Sequence, residues 1–239
     1  MDLGLNRFLA DVAAHFSAYA IALSLLGAVT MAILQTIKDL LPVRQWFQSY
    51  YLGRWMDEGA KEAQTNFSSV PDLVVSAEQA EKDLLKMAVD GDKGAFYDLQ
   101  IEQLCGQYTA AIQMVLEFPT GHKSLLAITA SQANSADISL VLAQPKPPTQ
   151  DFLDARNRVT HQCQRAIDAL QIAAGFRWKW ILQLASIAVS AALAWIAMAY
   201  RPGMVAPNLI SVIVSALLAG FLAPVGKDLL AIVQRARGQ

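Results

Sequence analysis

Charge is missing from three long stretches of this 239-residue chain, and that absence constrains its fold more than any other feature. Between Trp180 and Tyr200 there is no Asp, Glu, Lys or Arg, and after Arg201 there is none until Lys227. A third run has its core at Ala18–Ile37. A hydrocarbon core about 30 Å thick is crossed by about 20 helical residues, and each run reaches that length. The connection Arg201–Pro207, with two prolines and a glycine, suits a tight turn between antiparallel spans. The expectation is an all-α integral membrane protein with three transmembrane helices.

Hydrophobic residues make up 54% of the chain, and net charge is −1. The first figure is high for a soluble domain, and the second removes any global electrostatic case for nucleic-acid binding. The first apolar run resembles a secretory signal, but its leader (Asp2, Arg7, Asp11) is not basic, so a retained helix is expected, with cleavage between Thr30 and Gln35 as the alternative. Cys105 and Cys163 are too few for a disulfide framework; two buried free thiols are expected, or else a single bridge.

Basic residues near the ends of the runs set an orientation. Lys38, Arg44, Arg54, Arg165, Arg177, Lys179, Lys227, Arg235 and Arg237 fall on one side, and Arg7 and Arg201 on the other. The positive-inside rule places the N-terminus outside and the middle region and C-terminus in the cytoplasm. A bacterial inner (plasma) membrane is the expected location.

The expected divisions are an N-terminal segment and first span (1–37), an interfacial aromatic segment (38–55) and a cytoplasmic helical domain (56–148). After these come a stalk helix (149–179), the second and third spans (180–200 and 202–226) and a basic cytoplasmic tail (227–239). Trp46, Tyr50, Tyr51, Trp55, Trp178, Trp180 and Tyr200 are expected to anchor in the headgroup zone, where amphipathic rings collect. Within the domain, Ser76-Ala-Glu-Gln79 reads as a capping box that opens a helix over 77–89. One amphipathic helix is expected over 95–118 and a second over 123–131, while 136–143 reads as either strand or helix, with helix favoured because no sheet partner lies nearby. Pro145, Pro147 and Pro148 mark a linker.

From Thr149 to Tyr200 no proline interrupts, so stalk and second span should form one helix of about 50 residues, roughly 75 Å long. Phe152, Val159, Cys163, Ala166, Leu170 and Ala173 describe a heptad-like seam on it. Farther along, Ser186, Ser190 and Ala194 repeat every four residues, as do Ser211, Ser215 and Ala219, with Gly220 beside them. Small residues at that interval let helices approach closely in lipid, so these positions are the expected packing or oligomer seam. Pro224 is expected to kink the third span.

Chemistry is sparse. Asp90-Gly-Asp-Lys-Gly94 opens like a calcium loop but lacks the later ligands, and His161 and Cys163 stand two apart, on different helix faces. Gly121-His122-Lys123 reads as an exposed turn, and Tyr97, Asp98, Glu102 and Cys105 as ordinary residues of an amphipathic helix. No phosphate loop, dinucleotide fingerprint, nucleophile elbow or zinc-protease motif is present. No catalytic, cofactor or metal site is expected. The functional expectation is a non-enzymatic membrane effector or signalling subunit. Its cytoplasmic module would bind a protein partner or signal and bias an oligomeric transmembrane bundle. A pore-forming oligomer and a passive anchor or scaffold are the alternatives.

Overall fold

A computed structural model describes the backbone of residues 16–199, with side chains from Leu25 to Ile196 apart from Asp39 and Ala194. The described residues are all-α, with no strand among them. In order the helices are α1 (Phe16–Leu40), α2 (Val43–Asn66), α3 (Ala77–Val89), α4 (Lys93–Asp98), α5 (Ile101–Glu117), α6 (Lys123–Thr129), α7 (Ser135–Ala143) and α8 (Gln150–Ala199), with a 3-10 turn at Pro119–Gly121. The chain divides into two compact units. A central unit spans Pro42–Trp178, and a terminal unit draws on Met1–Leu41 and Lys179–Gln239. Among the described residues no single helix is long and apolar enough to cross a membrane. The expected third span at 202–226 and the tail at 227–239 lie outside the described residues.

The central unit is built around α6, whose residues Ser124 to Thr129 are all buried. α2 presents Leu52, Met56, Ala60 and Ala63 to the core, α3 presents Leu84 and Leu85, and α5 presents Leu104, Tyr108, Ile112 and Val115. These threes and fours are the spacing of one helix face. Ser76 caps α3 by accepting from the Gln79 backbone N–H at 3.3 Å, while the Gln79 side chain turns to Asp83 instead of closing the box. α2 runs unbroken from Val43 through the polar stretch to Asn66, across the division expected between the interfacial segment and the helical domain.

The single helix expected over 95–118 is two. Leu99 is extended, and the break frees two carbonyls that α2 takes up: Arg44 Nη1 donates to Asp98 O and Gln48 Nε2 to Leu99 O, each at 3.0 Å. Side chains from a distant helix thus stabilise an interruption that local propensity does not call for.

The 50-residue helix is present as α8, and Thr149 caps it by accepting from the Phe152 N–H at 3.2 Å. Its buried seam differs from the expected heptad. Phe152, Ala155, Val159, Cys163, Ile167, Leu170 and Ala174 are buried, while Ala166 and Ala173 are only partly so. The steps are three, four, four, four, three and four. That mean lies near the 3.6 of a straight helix and not the 3.5 of a supercoil, because this face packs on its own unit.

Within the terminal unit, α1 and α8 are pinned together. Thr30 and Ser190 are both fully buried, and their hydroxyl oxygens lie 3.0 Å apart. The Thr30 proton is committed to Leu26 O at 2.8 Å, so Ser190 is the donor between the two. From Leu25 onward, among the described residues of α1, the buried positions are Gly27, Thr30 and Leu34, a three-and-four stripe.

Candidate binding groove

Three segments of the central unit leave an open groove of about 570 Å³. One wall is α2 at Trp55, Glu58, Gly59 and Glu62; the floor is Ile128 to Gln132, where α6 ends; the other wall is α8 at Gln162, Arg165, Ala166 and Ala169. The size falls in the range of ligand sites, about 300–1,000 Å³. Small residues make it possible. At Gly59 an added Cβ would stand 3.0 Å from Ile128 Cγ2 and 3.2 Å from Ile128 O, so only glycine lets α2 approach α6 so closely. A second hollow of about 350 Å³ continues along α8, sharing Gln162 and Arg165 and adding Asn134, Asp137, Arg158 and His161.

The charges around this groove are unevenly matched. Arg54 holds Glu58 at 2.9 Å, one turn along α2. Arg158 grips Asp137 with two bonds of 2.9 and 2.7 Å, tying α7 to α8 and holding that carboxyl below the usual range. Glu62 has only a neutral partner, accepting from Ser131 Oγ at 2.7 Å, and Asn66 donates to Ser131 O at 2.9 Å. The Arg165 guanidinium, exposed on the opposite wall, makes no ion pair or hydrogen bond among the described residues. The groove therefore offers one carboxylate without a counter-charge on α2 and one cation on α8.

Nothing in the sequence marked this groove. Its signals were a glycine inside a helical, largely polar stretch and an arginine on the outward face of the stalk. Neither reads as a site until α6 lies between them.

The expected aromatic belt divides. Trp46 and Tyr50 are 61% and 68% exposed, whereas Tyr51 and Trp55 turn inward. Trp55 meets the Tyr108 ring edge-on at 6.0 Å, and Phe47 packs on Tyr51 and on Trp178. Arg177 lies 5.0 Å over the Tyr51 ring, in cation–π contact. Tyr51, Trp55 and Trp178 thus brace the central unit's own helices, because a face that packs at four-residue intervals from Gln48 also draws in its flanks. Trp180 is half exposed in the terminal unit.

Of the expected packing seam, Ser186 and Ser190 are buried, and Ser190 is engaged with Thr30 of the same chain. The Ala194 side chain and Tyr200, Ser211, Ser215, Ala219, Gly220 and Pro224 lie outside the described residues.

The remaining polar candidates have structural work. Asp90 adopts a left-handed conformation that ends α3 and its carboxylate pairs with Lys86 at 2.7 Å, while Asp92 caps α4 by accepting from the Ala95 N–H at 2.9 Å, so the carboxylates of the calcium-like loop are engaged within the chain. His122 is not the exposed turn expected. Its Nδ1 is buried 3.1 Å from Asp83 Oδ2, out of line for a hydrogen bond, and Asp83 also accepts from Gln79 at 2.8 Å. Tyr97 and Cys105 are buried in the core and line no cleft; burial pushes the Tyr97 phenol up, and its hydroxyl donates to Glu81 at 2.7 Å. Cys105 and Cys163 are both free and buried, with thiols pushed up to about 12 by burial. Among the described residues no cluster of His, Cys, Asp and Glu is arranged to hold a metal ion.

Comparison with protein-family models, with curated proteins and with solved structures returned no match.

Proposed function

We propose that this chain is a non-enzymatic membrane effector or signalling subunit. In this reading its central helical unit receives a protein partner or signal and biases the packing of an oligomeric bundle of transmembrane helices. The observation that carries the reading is α8. One unbroken helix of 50 residues supplies Val159, Cys163, Ile167 and Leu170 to the core of the central unit, and then Ser190 to the buried bond with Thr30. A groove wall, a core seam and an interhelical hydrogen bond thus lie along one continuous helix, so binding at the central unit and helix packing share an element. The charge-free runs at 18–37, 180–200 and 202–226, with basic residues gathered on one side, support three spans with the N-terminus outside.

A pore lined by serines is a weaker reading, because the Ser190 hydroxyl is committed within the chain. The decisive experiment combines extraction, topology and leakage. The full chain should resist alkaline carbonate extraction, a reporter fused at Gln144 should read as cytoplasmic, and purified protein should leave liposomes sealed. Release by carbonate or a reporter on the outer side would defeat the membrane reading. Steady conductance would replace it with the pore.

A further inference from the structure

The outward face of α8 differs from its buried one. Gln162, Arg165, Ala169, Ile172 and Phe176 advance by three, four, three and four residues, the 3.5-residue spacing at which two helices supercoil. Gln162 is half-buried and the others are exposed, with Ile172 73% exposed. The stripe begins at the groove wall and turns apolar as it runs toward Trp178. Ile172 precedes Trp180 by eight residues, about 12 Å of helix, and so stands clear of a span that starts there.

We propose that this face is where a second copy of the chain docks, α8 parallel to α8, with each copy's Arg165 reaching the other's groove at Glu62. The parallel arrangement rests on the membrane reading above, since copies inserted in one orientation can meet only about an axis along the membrane normal. The choice of a second copy over another partner comes from charge. A two-fold interface must be self-complementary, and once Glu58 is paired with Arg54 the groove keeps one cation, Arg165, and one carboxylate, Glu62, on opposite walls, neither matched by an opposite charge. Pairing across the axis satisfies both twice over. Gly59, Ala130, Ala166 and Ala169 leave room in the groove for an arriving side chain.

The test uses the full chain in its membrane. Ile172→Cys should give a disulfide-linked dimer under mild oxidation, while Lys86→Cys on the exposed side of α3 should not; the native thiols are buried and do not compete. Arg165→Glu and Glu62→Arg should each weaken dimerisation about tenfold or more, and the double exchange should restore it, as expected of a close interfacial charge pair. A helical melting profile matching the parent confirms that each variant folds. Cross-linking indifferent to both reversals, or a native mass showing a monomer, would overturn the proposal. So would a dimer that Ile172→Cys fails to trap. Carbonate release with the exchange still rescuing would overturn the membrane reading alone.

Discussion

The Ser190 hydroxyl donates to Thr30 Oγ1 across 3.0 Å, joining residues 160 positions apart in the chain. Both are fully buried, and Thr30 passes its own proton back to Leu26 O. Ser190→Ala removes the donor and Thr30→Val removes the acceptor. Their coupling in a double-mutant cycle, read from denaturant unfolding, should be about 0.5–1.5 kcal/mol, the net worth of a neutral hydrogen bond. Additive effects would show that the bond is not made. Ser190→Leu should cost more, about 1–3 kcal/mol, by overpacking a position with no space.

Two glycines of α2 should respond in opposite senses to alanine. Around Gly53 nothing lies within 4 Å of an added Cβ, so Gly53→Ala should stabilise by about 0.5–1 kcal/mol through helix propensity. At Gly59 the same gain is outweighed, because the Cβ meets a branched methyl and a backbone oxygen of Ile128. Gly59→Ala should lose about 1 kcal/mol net, with overpacking costing about 1–3. Thermal melts of the two variants check the contrast.

Tyr108→Phe tests the polar pin at the centre of the unit. Thr129 donates to Leu125 O at 2.8 Å, which leaves the Tyr108 hydroxyl to donate to Thr129 Oγ1 at 2.9 Å. Removing it should cost about 0.5–1.5 kcal/mol, the net worth of a neutral hydrogen bond, and denaturant titration measures it.

Asp137 ties stability to pH. Hydrogen bonding from Arg158 lowers its folded-state pKa below the ordinary 3.8, so the pair contributes stability above that value and loses it as pH falls through the depressed one. Arg158→Ala should therefore lower the melting temperature at neutral pH, and the difference from the parent should close in strong acid. A constant gap down to low pH would mean that Arg158 acts through packing and not through charge.

Cys105 and Cys163 should resist alkylation at neutral pH in the folded chain and react once it is unfolded. Their thiols are buried and pushed up to about 12, so little thiolate forms. Labelling of either thiol in the native state would show that the core opens there.

The sequence was legible where a local pattern decides the outcome. Ser76 announces α3, Thr149 announces α8, and the absence of proline from Thr149 onward announces the length of that helix. It was illegible where a distant partner decides. The break at Leu99 depends on Arg44 and Gln48, fifty-odd residues earlier. The inward turn of Trp55 depends on Tyr108, and Tyr51, Phe47 and Trp178 hold one another in the same way. The heptad reading of α8 chose Ala166 and Ala173 where the structure buries Ile167 and Ala174, because small differences in helical period accumulate along a long helix.

By itself, then, the sequence determined an all-helical chain, the course of its longest helix and the position of its charge-free runs. These follow from hydrophobic period, capping residues and breakers, all of which act within a few residues. Tertiary structure alone decided which side of α8 is core and which is open, that Gly59 brings α2 against α6, and that Glu62 and Arg165 face a common groove. It also decided that Ser190 meets Thr30. Each of these is a distance between residues far apart in sequence, set by how side-chain volumes fill one core, and no local pattern encodes it.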